Sequence, residues 1–274
     1  MPRRTAEPSV HRLRAREPYD GRALLAFHAV RAIPGVEEAD GDRYRRHLAL
    51  PGGDGVVELT AVDGGVDATV WGPDDDDVRV ALDRVRRLCA LDVDPAPVAA
   101  ALADDALLGP LVAARPGLRV PGAVDGWELA ARAVLGQQVS VAAARTLAAR
   151  LVERLGEPLA RPSGAITHRF PSPAAVRDAP DDVFSMPRSR IETLRRVAAL
   201  AAQRDPTADE LLAVRGIGPW TAGYVALRRG DPDVFLPTDA GVVRGLRGLG
   251  VDGVDSERWR PWRSYAVMHL WAVC

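Results

Sequence analysis

The apolar residues of this chain follow one spacing before about residue 95 and another after it, so a single uniform layer cannot bury both halves. Upstream, residues 21–32 (GRALLAFHAVRA) carry apolar side chains at helical spacing. Segments 43–50, 56–62 and 66–71 read instead as strands, separated by the hairpin-forming turns PGGDG and DGG. A second helix is expected over 75–91, opened by the acidic run Asp74 to Asp77, where carboxylates complement the helix dipole. Downstream the strand signals stop, and helical stretches are broken by Gly and Pro at intervals from Pro110 to Pro237. The expected class is α+β: a flexible basic arm over 1–16, a small antiparallel sheet with flanking helices over 17–94, and an all-α array over 95–274.

Composition narrows the chemistry. The two cysteines, Cys89 and Cys274, lie far apart, too few for a Cys-based zinc site or an iron–sulfur cluster. All 36 basic residues are arginine, which closes these 274 residues to a lysine Schiff base or a lysine general base. Charge is split: residues 1–110 hold 14 arginines against 20 acids, and residues 111–274 hold 22 against 17. A basic second half suits a polyanionic partner. No apolar run approaches the roughly 18 residues a membrane-spanning helix needs, and the start lacks the apolar core of a secretory signal. The expected setting is the cytoplasm, with no membrane association.

The densest local signal is TADELLAVRGIGPWTAGYVALR at 207–228. Thr207 and Glu210 have capping-box spacing, so a helix should begin there and end at Gly216, with Pro219 as the first residue of the next. Gly216 and Gly218 lack side chains, so their backbone N–H groups at a helix start can approach an anion, and Thr221 adds a hydroxyl. A DNA phosphate fits such a turn, in a contact that positions without reading sequence. Trp220 and Tyr224 stand four apart, on one helix face. Then comes VFLPTDAGVVRGL at 234–246, with Asp239 placed to cap a helix starting near Ala240.

Taken with PYD (18–20), ARPGLRVPG (114–122), AVLGQQVS (133–140) and WRPWRSYAVMHLW (259–271), these motifs resemble the DNA-3-methyladenine glycosylase II, or AlkA, type of helix-hairpin-helix DNA glycosylase. The resemblance covers nearly all of the chain beyond the first 16 residues. It implies a monofunctional enzyme that removes alkylated bases of the 3-methyladenine and 7-methylguanine type from duplex DNA, initiating base excision repair. It also implies a monomer, associated with the nucleoid. Asp239 takes the catalytic position. A fixed carboxylate there would stabilise the positive charge that builds on deoxyribose as the N-glycosidic bond breaks. Phe27, Trp220, Tyr224 and Trp271 fall on base-pocket positions, with Gln137 beside them. Aromatic faces would attract a cationic alkylated base by about 1–3 kcal/mol.

Gln138 takes the wedge position that fills the gap left by the extruded base, where an aliphatic side chain is the family's other option. Gly216, Gly218 and Thr221 take the phosphate-binding positions. Lyase-type relatives carry a lysine where Trp220 stands. No cofactor is required by this reading, no side-chain metal site and no iron–sulfur cluster are expected, and a monovalent cation at the hairpin carbonyls is allowed. Gly241 departs from the family, which has bulkier side chains there, as does the segment 160–170. Trp259 and Trp262 read as structural packing. The competing reading is a non-catalytic lesion-recognition module on the same scaffold, and the basic arm would also suit a linker from a fusion with a methyl-accepting repair module.

Overall fold

Alternating side chains build the first layer. The computed structural model describes residues 7–273. Strands β1 (Ser9–Arg14), β2 (Glu37–Asp40), β3 (Arg43–Leu50), β4 (Gly53–Val62) and β5 (Gly65–Trp71) form one antiparallel sheet in the order β1-β5-β4-β3-β2. Helices α1 (Gly21–Ala29) and α2 (Asp75–Leu88) cover it. They bury Leu24, Leu25, Val85 and Leu88 against Tyr44, Leu48, Val57, Leu59 and Val66 of the sheet. Asp74 caps α2, and Asp77 accepts from the Gly52 N–H of the β3–β4 turn, so the acidic run is partly spent on the fold.

The expected arm is corrected within its described part. Residues 9–14 are an edge strand, registered on β5 from Ser9↔Val70 to Arg14↔Gly65 and tied by a two-bond Arg12–Asp67 pair. Its inward positions are Ser9, His11 and Leu13, too polar a set to announce a strand. Residues 1–6 of the arm lie outside the described residues.

The second part carries α3 (Ala96–Leu102), α4 (Gly109–Ala114), α5 (Gly126–Leu135) and α6 (Val141–Leu155). A short hairpin follows, β6 (Pro158–Ser163) and β7 (Ile166–His168), then α7 (Pro173–Asp178), α8 (Arg188–Ala201), α9 (Ala208–Leu212), α10 (Pro219–Arg228), α11 (Ala240–Gly248) and α12 (Arg263–Trp271). The hairpin corrects the expectation that strands stop after 95. Gly164, at φ +64°, makes its turn, and Thr167 and His168 donate to the Gly35 carbonyl, which anchors it to the first layer.

Two apolar clusters divide the helices. One gathers Trp127, Val134, Leu151, Leu194, Leu211, Ile217 and Val225, and the other gathers Leu102, Leu108, Leu227, Leu236, Trp259, Tyr265 and Leu270. Helix α10 contributes Val225 to the first and Leu227 to the second. Its Tyr224 packs against both clusters and its Trp220 against the second. Trp259 is buried and donates to Asp105, the packing role expected of it.

Sheet and helices are joined by a buried ionic cluster. Arg46 on β3 donates to Glu37 at 3.0 Å and to Glu128 on α5 at 2.6 Å, while Arg132 on α5 donates to both carboxylates. No helix among the described residues is long and apolar enough to cross a membrane.

Candidate active site

The hairpin begins and restarts where its spacing predicts, but its first helix, α9, closes at Leu212 and not at Gly216 as expected, leaving residues 213–218 to the turn. Thr207 and Glu210 form a reciprocal capping box at the start of α9. Gly216 adopts φ +96°, and Gly218 is the N-cap of α10 with Pro219 at the first helical position. A Cβ on Gly216 would lie 2.0 Å from the Thr193 hydroxyl of α8, whereas one on Gly218 would meet nothing within 4 Å. Gly216 is therefore needed by the packing, and Gly218 faces open space.

Thr221 is tied into the packing of the hairpin. Its side chain is buried, and its hydroxyl accepts from Gln137 Nε2 at 3.0 Å. The same amide donates to the Gly216 carbonyl at 3.0 Å, and Arg190 donates to the Gln137 carbonyl at 2.8 Å. Gln137 is thus a strut between the α5–α6 turn and the hairpin, with its amide nitrogen spent on that link, and both it and Thr221 line the cleft. Gln138 follows it in a left-handed conformation at φ +56°, exposed at the tip, with Val139 and Val141 exposed beside it. This is the backbone strain associated with functional turns.

Asp239 is the N-cap of α11, as its place before Ala240 suggests. Its Oδ1 accepts from the Gly241 N–H at 2.8 Å, the Val242 N–H at 3.0 Å and Trp271 Nε1 at 2.7 Å. Its Oδ2 accepts from Trp220 Nε1 at 2.9 Å. Four donors on two oxygens fix the carboxylate in orientation, and Oδ2 carries the fewer, leaving it the capacity to face a reacting group. The carboxylate is half-buried in the wall of a cleft of about 1350 Å³ shared with Trp220, Tyr224, Trp271, Gln138 and Gly241.

Two glycines make this approach feasible. Gly241 and Gly245 lie four apart on one face of α11. A Cβ at Gly245 would lie 2.2 Å from the Leu270 carbonyl oxygen, and one at Gly241 would lie 2.6 Å from Trp271 Cδ1 and 3.0 Å from Asp239 Oδ1. Helix α12 therefore packs close to α11, and the Trp271 indole occupies the space a side chain at 241 would fill. Gly241→Leu is expected to push the indole off Asp239 and to cost about 1–3 kcal/mol of stability from overpacking. Denaturant unfolding with tryptophan fluorescence checks this, and a variant as stable as the parent with an unshifted emission would contradict it.

The aromatic residues converge, but their faces are not all open. Trp220 and Tyr224 stack on each other at 5.5 Å and 17°. Trp271 lies 6.3 Å from both Phe27 and Tyr224. Phe27 stands behind two guanidinium groups that sequence reasoning missed: Arg31 Cζ is 3.6 Å and Arg228 Cζ 4.8 Å from its ring centre. These two arginines, together with Trp220, Tyr224 and Trp271, line the cleft. The signal was present as spacing, because Arg31 follows Phe27 and Arg228 follows Tyr224 by four residues.

Among the described residues no group of three or more His, Cys, Asp or Glu is arranged to hold a metal ion. At the hairpin, the Gly216 carbonyl accepts from Gln137 and the Val214 carbonyl from the Ile217 N–H, so each keeps one lone pair for a monovalent cation.

Comparison with known proteins places this geometry. A family model described as the AlkA N-terminal domain matches residues 10–125. DNA-3-methyladenine glycosylase 2 of Escherichia coli is 36% identical over 280 residues, spanning 93% of this chain and 94% of that protein. The chain belongs to the DNA-3-methyladenine glycosylase 2 family. A Mycobacterium tuberculosis relative, described as a probable bifunctional transcriptional activator/DNA repair enzyme AlkA, is 40% identical over 279 residues. That match takes in 96% of this chain but 56% of the relative, so the chain spans little more than half of that protein's length. The fold is shared with a 3-methyladenine DNA-glycosylase from Archaeoglobus fulgidus, at a TM-score of 0.79 and 20% identity, covering 95% of this chain and 97% of that one.

Proposed function

We propose that this chain is a monofunctional DNA glycosylase that hydrolyses the N-glycosidic bond of alkylated bases extruded from duplex DNA, leaving an abasic site. One observation carries the reading: a carboxylate held by two indoles and two backbone N–H groups stands in the wall of a cleft that also holds the exposed turn at Gln138. A module that only bound lesions would need no carboxylate oriented from four directions.

The chemistry follows from that placement. Breaking the C1′–N bond sends the bonding electrons out with the base and leaves positive charge on the sugar. Asp239 stabilises that charge, and water completes the hydrolysis. Alkylation at a purine ring nitrogen already makes the base a better leaving group. The chain supplies no lysine amine to form a Schiff base, so its own residues support base release without strand cleavage.

Extrusion costs a few kcal/mol, less at damaged sites, and Gln138 at the tip of its turn is placed to occupy the vacated stack. Backbone N–H groups at Gly218 and the start of α10 offer the phosphate contact, with the Gln137 strut joining that contact to the wedge turn. A monovalent cation at the Val214 and Gly216 carbonyls would add positive charge toward the phosphate. All these groups belong to one chain, so a monomer suffices.

The test is incubation with duplex DNA containing 3-methyladenine, followed by analysis of the released base and of the strand. Free 3-methyladenine, with the strand breaking only after alkali, is the expected result. Strand breakage without alkali would overturn the monofunctional reading, and the absence of free base would overturn the glycosylase reading.

A further inference from the structure

Two consecutive glutamines in GQQVS meet opposite fates. Gln137 turns inward and donates to the Gly216 carbonyl and the Thr221 hydroxyl. Gln138 turns out, exposed, and among the described residues no group bonds to its amide. Its backbone, at φ +56°, lies in the left-handed region, which costs energy for any residue with a Cβ. The turn is held there from both sides. Arg190 donates to the Gln137 carbonyl at 2.8 Å, and the Ser140 hydroxyl caps α6 by accepting from the Ala143 N–H at 3.2 Å. A side chain presented from so fixed a backbone loses less freedom when it is seated in a ligand.

The shoulders of this turn are apolar. Val139 is 36% exposed and Val141 is 44% exposed, and both line the same cleft as Gln138 and Asp239. Docked on DNA, they would exclude water from around the Gln138 amide without giving it a partner. The base pairs above and below the vacated place present ring faces, which carry no in-plane donor or acceptor. An amide stripped of water and left unpaired there would be as unfavourable as any buried polar group without a hydrogen bond. The edge that faces the gap is the Watson–Crick edge of the base left opposite.

That edge and a carboxamide match. Thymine sets an N3–H donor beside carbonyl acceptors, and cytosine sets an N3 acceptor beside an amino donor. The Gln138 amide carries an acceptor beside its donors, and it meets either pattern by turning over about its last side-chain bond. An aliphatic side chain, the family's other option at this position, would fill the same space and make neither bond.

We infer that Gln138 is a specificity-determining residue that reads the base opposite the lesion: its amide pairs with that base's Watson–Crick edge, so extrusion is favoured where a hydrogen-bonding pyrimidine is left behind. This rests on the base-excision reading above and sharpens it. The lesion is recognised in the pocket, and its former partner is recognised at the wedge. Excision therefore depends on both members of the pair, although only one base is released.

The test places 3-methyladenine opposite thymine, or opposite difluorotoluene, a thymine-shaped base without hydrogen-bonding groups. Single-turnover excision efficiency (the rate constant over the half-saturating protein concentration) is measured on both duplexes for the parent protein, Gln138→Met and Gln138→Leu. The readout is each protein's ratio of the thymine duplex to the difluorotoluene duplex. The isostere weakens the lesion pair equally for all three proteins, so that contribution cancels when the ratios are compared. The parent ratio should exceed the Gln138→Met ratio about tenfold, the effect of one buried amide left without its partner. Gln138→Leu should match Gln138→Met. A parent ratio no larger than those of the variants would overturn the proposal, even if the variants are slower on both duplexes. If Gln138→Met does not fold, Gln138→Leu decides alone by the same comparison. Release of free base from neither duplex by the parent protein would instead overturn the base-excision reading itself.

Discussion

Glu128→Gln is expected to lose about 3–5 kcal/mol of folding stability at neutral pH, because it strips one charge from a buried cluster and leaves its partners uncompensated. Arg46 and Glu37 are each 3% exposed and Glu128 is 6% exposed, so water cannot replace the lost partner. Arg46 would keep Glu37, at 3.0 Å, but lose its 2.6 Å contact, and Arg132 would lose the 2.8 Å bond that orients it along α5.

The pH dependence has a definite sign. Burial alone would push the Glu128 carboxyl up, but Arg46 and Arg132 overcome it and hold the group well below the usual carboxylate range. A group depressed in the folded state contributes fully above the range in which the unfolded carboxyl titrates, near 4.3, and the contribution is lost as pH falls toward the folded value. Denaturant unfolding at pH 7 and again near pH 3 should therefore show a wide gap between parent and variant that narrows on acidification. A gap that is absent at pH 7, or that widens in acid, would contradict the cluster's role in joining sheet to helices.

Much of the candidate site was legible because it is written in short spacings. Thr207 with Glu210, Gly216 with Gly218, and Asp239 before Ala240 each specify a local backbone event, and all three occur where the spacing puts them. What escaped was long-range. Gln137 meets Thr221 across 84 residues, and Arg46 meets Glu128 across 82, with no periodicity to announce either. Strand β1 was missed because its pairing with β5 relies on main-chain bonds and the Arg12–Asp67 pair more than on an apolar face. Arg31 and Arg228 were visible at four-residue spacing from Phe27 and Tyr224, but a basic residue at a helix end reads first as a complement to the dipole. Gly241 was noticed only as an absence of bulk. Its use, as the slot for Trp271, needs α12 in place beside α11.

The second large effect falls on the chemistry. Asp239→Asn keeps the shape of the side chain and its capacity to cap α11, since asparagine is as good an N-cap as aspartate. The amide oxygen can still accept from Gly241, Val242 and Trp271, while the amide nitrogen turns a donor toward Trp220 Nε1, where Oδ2 now accepts. The fold should persist with the negative charge gone. Losing a preorganised electrostatic partner of the transition state commonly slows an enzyme about 10²–10³-fold, and losing the Asp239 charge is expected to cost at least that. DNA affinity should hold, because the hairpin N–H groups and the wedge turn are untouched.

The direct test measures single-turnover release of 3-methyladenine from duplex DNA by the parent protein and by Asp239→Asn, with enough of each to saturate the DNA and with binding measured on the same duplex. The account predicts equal binding and excision lost in the variant. Excision by Asp239→Asn at the parental rate would contradict it.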